Sequence, residues 1–387
     1  MSTLSSTQRL VLLALEHMAP KKKILHLINT AERGGAEMSL LRMLPLLNET
    51  FESIFVTLRG RGPLAENFER AGIKVIEVNQ KHPWDIASYV RLRKILKTTH
   101  PDLIVTHLLL PDLIGRFFIQ IFTPYKVISS LATTYNFPRY RIARFIEKST
   151  RYFCRGYMAN AESVKKTYVE KFGVPEKKVT VVPTGMDIES LQATVPNETL
   201  RHSLGIKATD TVIICVANLH INKGHRYLLE AFEQLYKKHP DTKLLLVGGG
   251  QEKDALRNQV ELYASKEAIL FLGQRSDVSE LLALSHIFAL PTFFEGMCNA
   301  IMEAMASKLP VVTTDIPENQ ELVTHEKTGL LCPVKDTQRL ANALERLVSD
   351  KQLAKTLGQN GAESIERRYN LKDSVSRWRE YFLTLSN

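Results

Sequence analysis

The chain has 387 residues, 44% of them hydrophobic and 24% charged, which is enough for two domains and excludes a disordered or fibrous class. No apolar run approaches the roughly 18 residues needed to span a bilayer, and LVLLAL at 10–15, followed by Glu16 and preceded only by Arg9, makes a poor signal peptide. The net charge of +10 is uneven, with 28 Lys/Arg against 17 Asp/Glu in residues 1–190 and 23 against 24 in 191–387, an asymmetry that asks for an acidic partner such as a membrane surface or a phosphorylated substrate.

Residues 1–20 read as a mobile lead-in with a short helix over 8–18. A first strand at 24–28 leads into NTAERGGAE and a helix over 37–47. Gly34 and Gly35 leave backbone N–H groups open at that helix start, the geometry of a small phosphate loop. Strands at 53–58, 73–78, 102–106, 126–131, 156–160 and 179–182 then alternate with helices at 63–71, 85–98, 111–122, 139–153 and 161–172. Further on, strands at 211–217, 243–247, 268–272, 286–290 and 310–314 alternate with helices at 223–238, 251–265, 276–284, 298–307 and 336–348. Such alternation predicts an α/β fold of two Rossmann-like, doubly wound parallel-sheet domains, joined near 184–200, with a ligand cleft at the carboxyl ends of the strands. The expected domains are 21–190 and 191–365, with 366–387 as a C-terminal segment carrying a last helix at 371–385.

The stretch LPTFFEGMCNAIMEAMASKLPVVTT, residues 290–314, organises the second domain. It reads as strand, loop turning at Gly296, helix from Cys298 or Asn299, and strand. Glu295 and Glu303 fall on either side of the helix start, spread over roughly 10 Å. That spacing suits the two ends of an extended polar ligand better than acid–base work on one bond. The helix N-terminus between them favours an anion, so a nucleotide diphosphate sugar fits. Two solvated glutamates on a plain βαβ unit are the simpler alternative. The glycine run LLLVGGGQEKD at 244–254 fails as a dinucleotide fingerprint, because Lys253 stands where the third glycine belongs. The four cysteines, 154, 215, 298 and 332, show no metal or redox spacing and read as reduced, cytosolic thiols.

PTFFEGMCNAIMEAMASKLPVV resembles the E-x7-E signature of retaining GT-B glycosyltransferases of family 4 type. GGAE after the first strand is similar to that family's GGxE, and VANLHINKG at 216–224 to its GRLxxxKG. FLGQRSDVSELLALSHIFALP at 271–291 and VVPTGMD at 181–187 resemble further family segments. The resemblance implies an acceptor-side first domain, a donor-binding second domain, and a last helix that returns to the first domain. It implies His107 and Glu295 as catalytic residues and Gly34, Gly35, Asn218, Lys223, Gly296, Met297, Cys298, Asn299 and Glu303 as the donor site. Asn218 departs from the family's arginine and brings no charge, which throws the diphosphate onto Lys223 and the helix near Cys298. A second histidine common in the family is replaced by Ala132, Thr133 and Thr134.

No D-x-D triplet occurs in the chain, so no metal and no cofactor are expected, and the leaving diphosphate falls to Lys223, backbone amides and a helix dipole. PRYRIARFIEKSTRYFCRGY, residues 138–157, places Arg141, Arg144, Lys148, Arg151 and Arg155 at helical spacing on one face. That face reads either as an ordinary solvated face or as one that meets anionic membrane or a lipid-linked acceptor at the cytoplasmic side. The implied partners are a nucleotide sugar, with UDP as the carrier, and a glycan, lipid-linked or lipopolysaccharide-type acceptor. No nucleic acid is expected. A nucleotide-sugar 2-epimerase on the same architecture and a non-catalytic nucleotide- or nucleic-acid-binding protein are the alternatives.

Overall fold

The computed structural model describes residues 20–132 and 141–386. Its strands are β1 (Lys22–Ile28), β2 (Phe51–Thr57), β3 (Lys74–Glu77), β4 (Leu103–His107), β5 (Val127–Leu131), β6 (Gly156–Ala159) and β7 (Val179–Val181), then β8 (Thr211–Val216), β9 (Thr242–Val247), β10 (Ile269–Gly273), β11 (Ile287–Leu290), β12 (Val311–Thr314) and β13 (Leu330–Cys332). They form two sheets, in the orders β3-β2-β1-β4-β5-β6-β7 and β10-β9-β8-β11-β12-β13. Pairings such as β1 with β4 and β8 with β11 are parallel. The central strands are buried on both faces, so they read as continuous apolar runs rather than alternating ones: TVIICV and TKLLLV in β8 and β9. Both sheets reverse their strand order once, between β1 and β4 and between β8 and β11. In an open parallel sheet, loops at such a reversal diverge and leave a crevice at the carboxyl ends of the two strands.

Two compact units result. One gathers the chain up to Ser129, Phe153–Gly156 and the segment from Trp378; the other holds Ser130–Tyr152 and Tyr157–Arg377. In the first unit, Phe382 of the last helix, Leu371–Ser386, packs edge-on against Phe51 and beside His26. In the second, Ile213, Ile214, Leu244, Phe288 and Met302 belong to one apolar core.

Three departures from the sequence reading have physical causes. The helix expected over 139–153 runs only from Arg141 to Thr150. The chain turns there because Cys154 enters the core and its thiol contacts the Gly156 carbonyl at 3.0 Å, while the Arg155 N–H donates to the Val127 carbonyl at 3.0 Å. Arg151 and Arg155 therefore lie outside the helix, and the five cations do not share one helical face; the side chains of Arg141 and Arg144 lie outside the described residues. The helix expected over 111–122 contains a π-helical turn at Gly115–Ile119, between helical pieces Leu109–Ile114 and Gln120–Phe122. A nineteen-residue helix, Lys351–Tyr369, was not expected at all. The expected helix over 8–18, with Thr133 and Thr134, lies outside the described residues. Among those residues no helix is long and apolar enough to cross a membrane.

Candidate active site

In the second unit β8 runs into residues 217–224 and its neighbour β11 into residues 291–298. Backbone and side chain tie the two loops together. The Phe293 N–H donates to the Asn222 carbonyl at 2.8 Å, and the Thr292 hydroxyl reaches the same oxygen at 3.1 Å. Gly224 carries a φ of 69°, and a Cβ there would collide with the Pro291 carbonyl. Only glycine meets both demands. With the loops so joined, the Lys223 ammonium donates to Glu295 Oε1 at 2.6 Å, with side-chain exposures of 20% and 10%. The sheet thus joins two of the expected residues that stand 72 positions apart. Burial pulls the Lys223 ammonium down, but the Glu295 carboxylate outweighs it, and its pKa is raised. Lys223 is a fixed cation at neutral pH.

The glycine run supports this loop. Gly248 has a φ of 141° and lies against the Ala217 carbonyl, and the Gly249 carbonyl accepts the Leu219 N–H at 2.9 Å. Asn218, held between these contacts, is exposed.

Helix Asn299–Ala306 begins at Cys298, whose backbone is extended and whose side chain provides no cap. The positive end of the helix dipole lies at this start. Burial and the nearby Glu295 raise the Cys298 thiol far above its ordinary value, so it is a neutral packing group rather than a nucleophile. Gly296 is buried and Met297 half-buried ahead of it; within the helix Glu303 is half-buried, flanked by the buried Met302 and Ala304. Gly296 does not adopt a left-handed φ, so the turn expected of it is made in ordinary backbone. Lys335 lies over the Phe293 ring at 5.4 Å. That second cation beside the 291–298 loop carries no sequence signal, because it arrives from beyond β13.

In the first unit the equivalent reversal holds Gly34 and Gly35 after β1 and His107 at the end of β4. Helix Gly35–Leu47 starts at Gly34, and a Cβ on Gly34 would collide with the Glu37 carboxylate folded over it. Glu37 itself is buried, and burial raises its pKa while its own N–H opposes the shift. The sequence reading did not single it out; the signal was the carboxylate that ends GGAE. His107 is stacked on His26 at 5.4 Å, with His26 Nδ1 and His107 Nε2 3.1 Å apart. Burial lowers the His107 pKa to about 3, and that of His26 falls as well. His107 is therefore neutral, fit to exchange a hydrogen bond with a hydroxyl but not to supply charge. Among the described residues no group of three or more His, Cys, Asp or Glu could hold a metal ion.

A pair of doubly wound sheets whose second member carries a lysine, an adjoining carboxylate and a helix start at its strand-order reversal is compatible with a nucleotide-sugar enzyme of the GT-B class. Residues 196–364 match the model for glycosyl transferases group 1, and residues 33–190 that for glycosyltransferase family 4. The chain belongs to the GT-B glycosyltransferases of family 4 type. It is 26% identical over 384 residues, 94% of this chain and 97% of the relative, to the UDP-Gal:alpha-D-GlcNAc-diphosphoundecaprenol alpha-1,3-galactosyltransferase of Escherichia coli. It is 30% identical over 179 residues, 46% of this chain and 47% of the relative, to the N-acetyl-alpha-D-glucosaminyl L-malate synthase of Bacillus anthracis. The structure of Anabaena HepE in complex with UDP and glucose shares the fold, with a TM-score of 0.82 and 22% identity over 94% of this chain and 100% of that one.

Proposed function

We propose that this glycosyltransferase moves a sugar from a UDP-sugar, with retention of anomeric configuration and without a metal, onto a saccharide carried by a lipid diphosphate. The observation that carries the donor half is the Lys223–Glu295 pair, 2.6 Å long, at the strand-order reversal beside the uncapped start of helix Asn299–Ala306. A cation beside the positive end of a helix dipole forms a receptor for a diphosphate. Glu303, further along that helix, is assigned the ribose hydroxyls, and Asn218, Met297 and the glycine turn the surroundings of the nucleotide. In the transfer step the bond between the anomeric carbon and the UDP oxygen breaks. The acceptor oxygen bonds to that carbon on the same face, and its proton passes to the departing phosphate. Lys223 and the helix amides stabilise the negative charge that develops on UDP, the work a metal ion does elsewhere. Glu295 fixes the position of Lys223, and neutral His107 is assigned a hydrogen bond to a sugar hydroxyl.

The acceptor assignment rests on the relative from Escherichia coli, whose name specifies a diphosphoundecaprenol-linked sugar and which aligns with 94% of this chain. The excess of cations in residues 1–190 supports a working place at an anionic, cytoplasmic membrane face. Lys148 is exposed on helix Arg141–Thr150, with Phe145 exposed beside it.

A thermal-shift panel of UDP-, GDP- and ADP-sugars tests the donor. A ligand at a hundred times its dissociation constant stabilises by about 2.7 kcal/mol, and UDP-sugars are expected to give the largest shift. The acceptor is tested by incubating the preferred donor in EDTA with a sugar–diphospho–polyprenol and with the same sugar lacking the lipid diphosphate. Elongation of the first and not the second is expected; conversion of donor to its 2-epimer would replace this reading with the epimerase one.

A further inference from the structure

Helix Ile86–Thr99 buries Ser88, Leu92, Leu96 and Thr99 on one side. Ile86, Val90, Arg93, Lys94 and Lys97 fall within one exposed stripe on the other, apolar in its first half and cationic in its second. Trp84 stands in the turn ahead of the helix, 85% exposed. That turn is tied down rather than loose. The Tyr89 hydroxyl donates to the Pro83 carbonyl at 2.8 Å, the Asp85 N–H to the His82 carbonyl at 3.0 Å, and the Asp85 carboxylate accepts from Ser88 N–H and Arg91. An indole held outward by a closed turn needs a partner surface more than a tryptophan on a floppy loop does.

The apolar surface does not stop at this helix. Tyr89 packs on Phe118 at 4.9 Å, and Phe118 on Phe122 at 6.1 Å. Through these rings the stripe continues onto the helical run Gly115–Phe122, where Phe122 is 68% exposed and Phe117 and Ile121 are exposed as well. The whole face lies within the first unit. Its charge is one-sided. In residues 81–99 the single carboxylate is Asp85, already engaged by Arg91 and the helix N-terminus, while Lys81, Arg93, Lys94 and Lys97 are exposed. Residues 113–126 contain no acidic residue.

We propose that the face built from Trp84, Ile86, Val90 and Phe122, edged by Arg93, Lys94 and Lys97, docks on an anionic bilayer surface. An aromatic at the headgroup level, aliphatic side chains just below it and lysine and arginine at the rim are what an interfacial element requires. Charge complementarity selects the bilayer over a second copy of this chain, because two copies of this face would oppose cation to cation. The face differs from helix Arg141–Thr150, and it deepens the lipid-linked-acceptor reading, on which its purpose rests. The two fail separately, since the docking is read without any sugar donor.

The chain has two tryptophans, and the other, Trp378, is buried, so Trp84 reports on its own surface. Vesicles of phosphatidylcholine with and without phosphatidylglycerol, titrated into the full chain at low salt, are expected to co-sediment it only when anionic. Trp84 emission then shifts to the blue and is shielded from acrylamide. Ile86→Ser/Phe122→Ser, both changes at exposed positions, is expected to weaken partition about tenfold or more. Lys148→Glu/Arg151→Glu is expected to leave the Trp84 shift in place. The proposal is overturned if the protein ignores anionic vesicles, or if it co-sediments while Trp84 remains open to acrylamide, which would assign docking elsewhere. A concentration-dependent dimer abolished by Ile86→Ser/Phe122→Ser would equally overturn it and assign the face to self-association.

Discussion

Removing the charge of Lys223 should separate its two duties. At 2.6 Å from Glu295, and with an effective dielectric near 20, the pair has a gross attraction of about 6 kcal/mol. Desolvation of two partly buried charges offsets most of that, leaving a net worth of about 1–2 kcal/mol, whereas stripping one partner from the other costs about 3 kcal/mol. Lys223→Met should therefore lower stability by about 3 kcal/mol, because it removes the cation facing the buried Glu295 carboxylate. Lys223→Met/Glu295→Gln, which strands no charge, should recover most of it. If Lys223 serves the donor diphosphate, recovery stops at the fold. UDP binding by calorimetry and turnover should remain depressed in the double variant, with turnover down about a hundredfold or more. Arginine at 218 should restore part of the lost turnover, by returning a cation to the same loop. A double variant that regains stability and UDP affinity together would show Lys223 to be a structural partner of Glu295 and refute the donor assignment.

Glu303→Gln should weaken UDP binding by about 1.5–3 kcal/mol with the melting temperature unchanged, as read by calorimetry; equal affinity removes Glu303 from the site. Gly224→Ala should cost about 2 kcal/mol or more, because the new methyl meets the Pro291 carbonyl and the φ of 69° disfavours any side chain; a wild-type denaturation midpoint contradicts the packing described. Acid should destabilise the fold through its buried histidines. His107 and His225 are lowered to about 3 and about 4 by burial, and His26 is lowered too. Below about 6.5 the unfolded chain binds protons that the folded chain refuses, so stability is whole above that pH. It is then lost toward the folded values at about 1.4 kcal/mol per pH unit for each histidine. Denaturation midpoints between pH 7.5 and 4.5 should show this fall, and His225→Gln should make it shallower.

What the sequence revealed follows from which interactions are local. The E-x7-E spacing, the lysine–glycine pair at 223–224 and the alternation of strand and helix are all local, and each was readable. The partnership of Lys223 with Glu295 is not, because it needs β8 and β11 to be neighbours across 72 positions, a product of the sheet's reversal. The same holds for His26 and His107, joined because β1 pairs with β4. The burial of Glu37 carries no local signal, because it comes from folding back over Gly34. Helix Lys351–Tyr369 was hidden by Gly358 and Gly361, which lower helix propensity; at 358 the missing Cβ is what lets the helix lie on the Lys308 carbonyl. Conversely, cations continue at helical spacing past Thr150, so the pattern predicts a helix to 153, whereas burial of Cys154 forces a turn.

The most direct test of the central claim is the anomeric configuration of the product. The protein, the preferred UDP-α-sugar and a sugar–diphospho–polyprenol acceptor are incubated in EDTA, and the new glycosidic bond is read by proton NMR. The account predicts an α-linked product formed at an undiminished rate without metal. A β-linked product, a rate that collapses in EDTA, or release of free sugar with no elongated lipid would contradict it.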